Sequence, residues 1–463
     1  MQSGATPARE GTAPDLTIRV DPAASPLPSP PPEGEGAVAI VGGGWAGMAC
    51  AMELAAAGRR VTLHEAAPQL GGRARGVDWN GLRIDNGQHL LIGAYGATLN
   101  LLRQLGTAHL LERRPLQLRT PCFRLALPRL PAPLHLALGL LSARGLDFSE
   151  KLAAARFMRA LRAKRFQLDA DRPVASLWQA YRQPADLIEK LWAPLCIAAL
   201  NTPVATASAQ VFCNVLRDSL AGCRGASDFL LNRADLSRLV GDAVHARLGP
   251  RVRLGEKISG IQRGGNGFHL TGPGLDASQV VLAVHPGRLP ALVAGLPELA
   301  GIAAAVAGYT WQPILTLWLR FAAPLRFPYP LLALGDGHAP WAFERSDLAP
   351  GLVAIVMSAE GPHLTRPPQR LRDDYLALLA KRLGSPPELL DWKIITEKRA
   401  TWSCVPDMFR PDQATPLPGL YLAGDYTAGD YPATLEAAVR SGVKCARLIS
   451  HSAFKIQHST LPP

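Results

Sequence analysis

The run Ala37-Val-Ala-Ile-Val-Gly-Gly-Gly-Trp-Ala-Gly47, followed by an Ala-rich stretch and then Arg60-Val-Thr-Leu-His-Glu65, leaves few folds open to this chain. It predicts a strand, a glycine turn, a helix closed by Gly58 as a C′ residue, and a second strand that ends in an acid. Gly42 permits the tight turn, Gly44 lets the backbone approach a pyrophosphate, and Gly47 lets helix and strand pack closely. The helix N-terminus turns free N–H groups and a positive dipole end toward such an anion. Glu65, at the distance this fingerprint requires, accepts both hydroxyls of a ribose and repels a 2′-phosphate, which disfavours NADP. Glycine turns of this spacing also occur with no ligand. Here strand, helix and acid agree, and NAD and FAD both stay open.

At 463 residues the chain exceeds one ordinary core, so two interleaved domains are expected. Its seven cysteines are odd in number and scattered, with no CxxC pair. They predict reduced thiols in a cytoplasmic setting, and neither a metal site nor a disulfide framework. Residues 1–35 have no apolar core of a signal peptide and, rich in Pro, Ala and Gly, are expected to be a disordered tail.

The formal charge of +12 is uneven: from Glu112 to Arg165 twelve Lys or Arg face three acids, +9 of the total. Inside lies the apolar run Leu125 to Leu141, cut by three prolines and too short to span a bilayer. An apolar wedge flanked by cations suits a peripheral contact, over residues 125–146, with the inner face of the cytoplasmic membrane. A buried core helix beside a solvated basic face is the equal alternative. Nucleic acid is not expected as a partner, because the apolar run would then have no role.

Further along, Trp79 to Leu90 reads as a hairpin with Asn-Gly turns, residues 110–230 as mainly helical, and 240–284 as strands. A helical stretch from Leu289 to Ala307 precedes strands at 312–321 and 352–358, and a last strand at Gly419 to Ala423 leads to a helix from about Thr434. The simplest topology is a dinucleotide domain from 36–110, 232–300 and 412–452, with a second domain from 111–231 and 301–411. The second telling motif is Gly424-Asp-Tyr-Thr-Ala-Gly-Asp-Tyr-Pro-Ala-Thr-Leu-Glu436, running on to Gly442. A strand ends there, a polar loop follows, and a helix begins whose N-terminus would stabilise negative charge on a reduced ring.

Taken together, Val41 to Gly47, Glu65, Gly71-Gly-Arg73, Asp85-Asn-Gly-Gln-His89 and Gly424 to Gly442 resemble the flavin-containing amine oxidase and phytoene desaturase superfamily, over residues 36 to 449. The wording of Asp85 to Tyr95 and Gly424 to Glu436 is similar to its squalene-associated branch, the hydroxysqualene dehydroxylases of hopanoid biosynthesis. The resemblance implies an α/β fold, a Rossmann-like FAD-binding domain with an interleaved α+β substrate domain. It places the FAD pyrophosphate against Gly42, Gly43, Gly44 and Gly47, the ribose on Glu65, and Gly71, Gly72 and Arg73 near the phosphates. It sets Ile258 at the adenine and Gly424 with Asp425 on the ribitol-phosphate side. Asn86, Gly87, Gln88 and His89 would pass close to the isoalloxazine, with Ala433, Thr434 and Leu435 at its pyrimidine end. His89 is expected to pack or donate one hydrogen bond. Amine oxidases of this superfamily carry a lysine near the flavin on a substrate-domain strand, and Pro313 to Leu319 has none.

The implied reaction is reductive loss of an allylic hydroxyl: hydroxysqualene and reduced FAD give squalene, water and oxidised FAD. Hydroxide leaves poorly, so a proton donor is needed, and the allylic cation then takes hydride from the flavin N5. Asp430, Tyr431 and Asp407 are the donor candidates, with structural roles as the alternative. The implied partners are a hydrophobic isoprenoid and an electron donor for the flavin. A carotenoid desaturase, an amine oxidase and a non-catalytic lipid escort are the competing readings.

Overall fold

The computed structural model describes residue 27 and residues 36–459, apart from 132, 266, 337 and 338 and the side chains of 452–459. The tail expected over 1–35 thus lies outside the described residues, Leu27 excepted. Val38–Val41 and Val61–Glu65 form strands joined by the helix Trp45–Ala56, as the glycine run requires. Folding then brings distant strands beside this unit. One all-parallel sheet runs Val252–Leu254, Val61–Glu65, Val38–Val41, Gln279–Leu282, Leu420–Leu422. Ile40 lies between Leu63 and Val281, and Val281 pairs in turn with Tyr421. Strands covered on both faces read as continuous apolar runs, which is why Val-Ala-Ile-Val and Gln-Val-Val-Leu show no alternation. The long helix Leu435–Ser459 lies against Trp45–Ala56. Gly442 makes that approach possible, since a Cβ there would stand 2.1 Å from the Ala46 carbonyl oxygen.

A second, antiparallel sheet runs Leu331–Ala333, Trp341–Glu344, Leu352–Ser358, Trp311–Phe321, Leu389–Trp402. Its long central strand obeys the period of two. Leu315, Leu317, Leu319 and Phe321 pack with Leu371, Tyr375 and Leu379 of the helix Pro368–Leu383, whereas Trp318 belongs to the main core. The opposite face brings Ile314 toward the first sheet's crevice.

Gly76–Trp79 and Leu82–Asp85 form the expected hairpin, with Asn80 and Gly81 both at positive φ, +46° and +78°, as a two-residue turn demands. Three stretches depart from the expected pattern, the first being 240–284, which opens with the helix Asp242–Leu248 before its strands begin at Val252. Residues 110–230 are not helical at the outset: Leu111–Arg114 pairs with Phe229–Asn232, and Gln117–Arg119 with Arg124–Ala126, before the helices begin at Leu134. The helix expected over Leu289 to Ala307 is broken into Leu289–Leu292 and Ala300–Ala307. Pro290 and Pro297 start new turns there, because proline lacks the N–H needed inside a helix.

Candidate functional site

The crevice lies at the carboxyl ends of the parallel strands, where open α/β sheets bind ligands. A cavity of about 910 Å³ opens there, lined by both sheets and by the start of the helix Leu435–Ser459. Gly42, at φ +109°, turns the chain beside Ala283; a Cβ would be 2.4 Å from the Ala283 carbonyl oxygen. Gly44 is different: a Cβ there would meet nothing within 4 Å, because its surface faces the cavity. It is the N-cap of Trp45–Ala56, with no side-chain capping bond and no acid in the first turn. The free N–H groups of that turn therefore remain available to an anion.

Glu65 lines the cavity and holds the turn: its carboxylate accepts from Gly43 N–H at 2.7 Å and Ala67 N–H at 2.8 Å. Each oxygen keeps a further lone pair for a hydroxyl donor. Beyond the pyrophosphate cradle, Arg73 donates to the Asp425 carboxylate at 2.7 Å and to the Ala400 carbonyl at 2.7 Å, so one guanidinium ties the two sheets together. Arg410 holds the loop after Asp425, donating to the carbonyls of Asp425, Gly429 and Tyr431. Buried Glu436 reaches back to the helix Gly96–Leu105 and accepts from the N–H groups of Ala97 and Thr98. The start of the last helix is fixed by these contacts.

Residues 86–89 are set by a buried network. Asp85 accepts from Leu236 N–H at 2.7 Å and Asn232 at 3.1 Å and faces Arg345 at 3.6 Å, while Arg345 also donates to the Gln88 side chain. Burial pushes the Asp85 carboxyl up to about 6, against the lowering effect of Arg345. His89 Nδ1 lies 2.7 Å from the Gly87 carbonyl oxygen, the geometry of a donated hydrogen bond, and burial lowers its pKa, so the ring is neutral. His285, which sequence reasoning missed, stacks on Trp311 with centroids 4.4 Å apart and accepts from Gly287 N–H through Nδ1. Burial, then the nearby Arg73 charge, lowers its pKa to about 4.

Of the expected cofactor residues, Gly42, Gly44, Glu65, Gly71, Gly72, Arg73, Asn86, Gly87, Gln88, His89, Ile258, Gly424, Asp425, Ala433, Thr434 and Leu435 line the cavity. Gly43 and Gly47 do not. Gly43 is pressed against Leu70 and Glu65, and Gly47 against the Gly42 carbonyl, so both shape the turn from behind. The three donor candidates also lie off the cavity wall. Asp430 is exposed and paired with Arg217 at 3.3 Å. Tyr431 is buried between Tyr95 and Arg440. Asp407 is an exposed turn residue at φ +53°. Loop polarity near a motif does not tell which way a side chain points. The lining acid of the second sheet is Glu397, opposite Ile314. Among the described lining residues the lysine is Lys257, next to Ile258, and the strand Trp311–Phe321 contributes Ile314.

This cavity, a glycine-lined helix N-terminus facing an acid at the next strand and a distant second motif, defines a nucleotide-binding protein. The chain belongs to the family of flavin containing amine oxidoreductases, whose model matches residues 45–450, and it is an FAD-dependent enzyme. Within that family it stands with the hydroxysqualene dehydroxylases: it is 30% identical to that of Rhodopseudomonas palustris over 436 residues, 89% of this chain and 98% of the relative. Identity to the zeta-carotene desaturase of Synechocystis is 46% but spans 70 residues, 15% of this chain and 14% of that one. The fold is shared with the solved cyclohexylamine oxidase of Brevibacterium oxydans, at TM-score 0.65 and 17% identity, over 91% of this chain and 100% of that one. The residues present fit FAD: the uncapped helix turn and open surface at Gly44 suit the pyrophosphate, and Glu65 suits the ribose.

Proposed function

We propose that the chain removes the hydroxyl of hydroxysqualene reductively, giving squalene. The observation that carries this reading is the similarity to a hydroxysqualene dehydroxylase over nearly the full length of both chains. FAD, reduced by an external electron donor, supplies the hydride equivalent. In that reaction the carbon–oxygen bond breaks, a carbon–hydrogen bond forms, and the oxygen leaves as water.

The chain's own work is threefold. Gly42, Gly44, Glu65 and Arg73 would hold and orient the cofactor, and Asn86 to His89 with Ala433 to Leu435 would face its ring. Apolar lining groups such as Ile314, Leu292 and Leu435 exclude water, so that an allylic cation is not captured by solvent. The departing hydroxide needs a proton, and Glu397 is the carboxyl on the substrate-sheet side that we take to deliver it. Neutral His89, with Nδ1 occupied by the Gly87 carbonyl, orients rather than protonates.

The test is to reduce the purified protein anaerobically, add hydroxysqualene, and follow flavin absorbance with squalene by mass spectrometry. Stoichiometric flavin reoxidation and squalene formation are expected. Reduced flavin that persists with no squalene formed would overturn the reading, and oxidation of a desaturase or amine substrate by the oxidised enzyme would favour a rival.

A further inference from the structure

Eight large apolar side chains are exposed among the described residues, and five of them sit on one short segment: Leu134, Leu138, Leu141, Phe148 and Leu152. The helix Leu134–Ser142 explains the clustering. Leu134, Leu138 and Leu141 recur at the helical spacing and face outward, Leu141 at 63% exposure, while His135, Leu136, Gly139 and Leu140 face inward. Both faces of this helix are apolar, yet one has a core to meet. Phe148, 73% exposed, and Leu152 extend the outer face onto the first turns of the helix Phe148–Ala163. A shallow groove of about 460 Å³, lined by Ala126, Leu127, Pro128, Leu138, Leu141 and Ser142, opens on it.

The rim is cationic. Arg124, Arg129, Arg144 and Arg156 are exposed around the patch, and the backbones of Arg124 and Arg144 are hydrogen-bonded to each other, so two cations stand side by side. The two acids within the segment are engaged locally: Asp147 caps the helix and accepts from Glu150 N–H at 2.8 Å, and buried Glu150 accepts from Asp147 N–H at 2.7 Å. No helix among the described residues is long and apolar enough to cross a membrane.

We propose that this face, the outer side of Leu134–Ser142 with the start of Phe148–Ala163 and its arginine rim, docks on an anionic lipid bilayer. Leucines and a phenylalanine enter the acyl boundary while the arginines meet the headgroups, as a peripheral contact requires. A second copy of the chain is the poorer occupant. A two-fold interface would set like-charged rims against each other. The proposal does not depend on the substrate assigned above, because lipid binding is read without turnover.

The test uses the full-length, FAD-loaded protein and sedimentation with vesicles of phosphatidylglycerol and phosphatidylethanolamine, or of phosphatidylcholine alone. Binding to the anionic vesicles that weakens with salt is expected. The pair Leu138→Asp and Leu141→Asp should lower partitioning about tenfold or more, and Arg124→Glu with Arg144→Glu should remove its dependence on anionic lipid. Phe148→Trp keeps the face apolar and should be quenched by brominated acyl chains. Equal sedimentation with and without vesicles overturns the proposal, as does undiminished binding by a leucine pair variant that keeps its flavin spectrum. An unquenched Trp at 148 overturns it too, as does a concentration-dependent dimer that the leucine substitutions dissolve.

Discussion

Two glycines of one motif, Gly44 and Gly47, should respond to the same substitution in opposite ways. Gly44 has φ −74° and ψ 177°, which any residue adopts, and its added methyl would meet no protein atom within 4 Å. Alanine is a poorer N-cap than glycine, which costs about 1 kcal/mol or less. The smaller entropy of the unfolded chain offsets this by about 0.4–1 kcal/mol, so Gly44→Ala should leave the melting temperature of the FAD-free protein nearly unchanged. The methyl instead occupies the space over the free N–H groups. Losing one hydrogen bond to a charged phosphate costs about 1.5–3 kcal/mol, a weakening of FAD binding of roughly 10- to 100-fold. At Gly47 the methyl would stand 2.0 Å from the Gly42 carbonyl oxygen and 3.2 Å from Ala283 Cβ, with backbone on the near side that cannot yield cheaply. Gly47→Ala should therefore cost about 1–3 kcal/mol or more of stability through overpacking. Fluorescence titration of the apoprotein with FAD and thermal denaturation without FAD separate the two effects. If Gly44→Ala bound FAD within about twofold of the parent, the placement of the pyrophosphate at this helix end would be refuted.

Further outcomes follow from the groups around the cavity. Glu397→Gln should keep FAD and melting temperature but lose about 100-fold or more in turnover, whereas Asp407→Asn and Asp430→Asn should retain turnover; the reverse ranking in single-turnover assays would move the proton donor elsewhere. Arg345→Met leaves Asp85 buried without its cation and should cost about 3–5 kcal/mol in urea unfolding, and a shift in the midpoint near zero would show that the network is not coupled. Because the folded Asp85 carboxyl lies near 6, above its ordinary value, its contribution to stability is complete below about pH 4 and fades as pH rises through about 6. The melting-temperature gap between the parent and Asp85→Asn should then widen from pH 7 to pH 5, and a constant gap would contradict the shift. His285 works in the other direction: with its folded pKa lowered to about 4, its stabilising effect is present above about pH 6.5 and lost as pH falls through about 4. His285→Phe, which can keep the stacking on Trp311, should flatten that acid branch in apoprotein melting curves.

Much of this architecture was legible because its physical causes are local. Glycine at positions that a Cβ would block, an acid at the end of the next strand, and an Asn-Gly turn are written in adjacent residues, and the strands Val38–Val41 and Val61–Glu65 follow from them. The resemblance to a flavoprotein family rested on these same local signals and held over residues 45–450. Less legible was whatever depended on direction. Asp407, Asp430 and Tyr431 are polar residues in segments close to the cavity, yet turn geometry and pairing with Arg217 and Arg440 aim them elsewhere. His285 and Glu397 carry no local signature, because their place in the cavity wall is created when Gln279–Leu282 and Leu389–Trp402 join their sheets.

The run from Ala37 to Gly47, with Glu65 and the Gly424 to Gly442 motif, determined by sequence alone that this chain would build a dinucleotide cradle, because each of those residues meets a steric or dipolar demand within its own turn. The apolar, arginine-flanked run from Leu125 to Leu141 left core and surface equally open. Only the tertiary structure decided that its helix has both characters: the protein core fills one side, and the Leu134, Leu138 and Leu141 side chains remain outside because no element among the described residues packs over them. Sequence periodicity cannot distinguish a face that meets the core from one that meets solvent when both are apolar. That choice belongs to the long-range contacts.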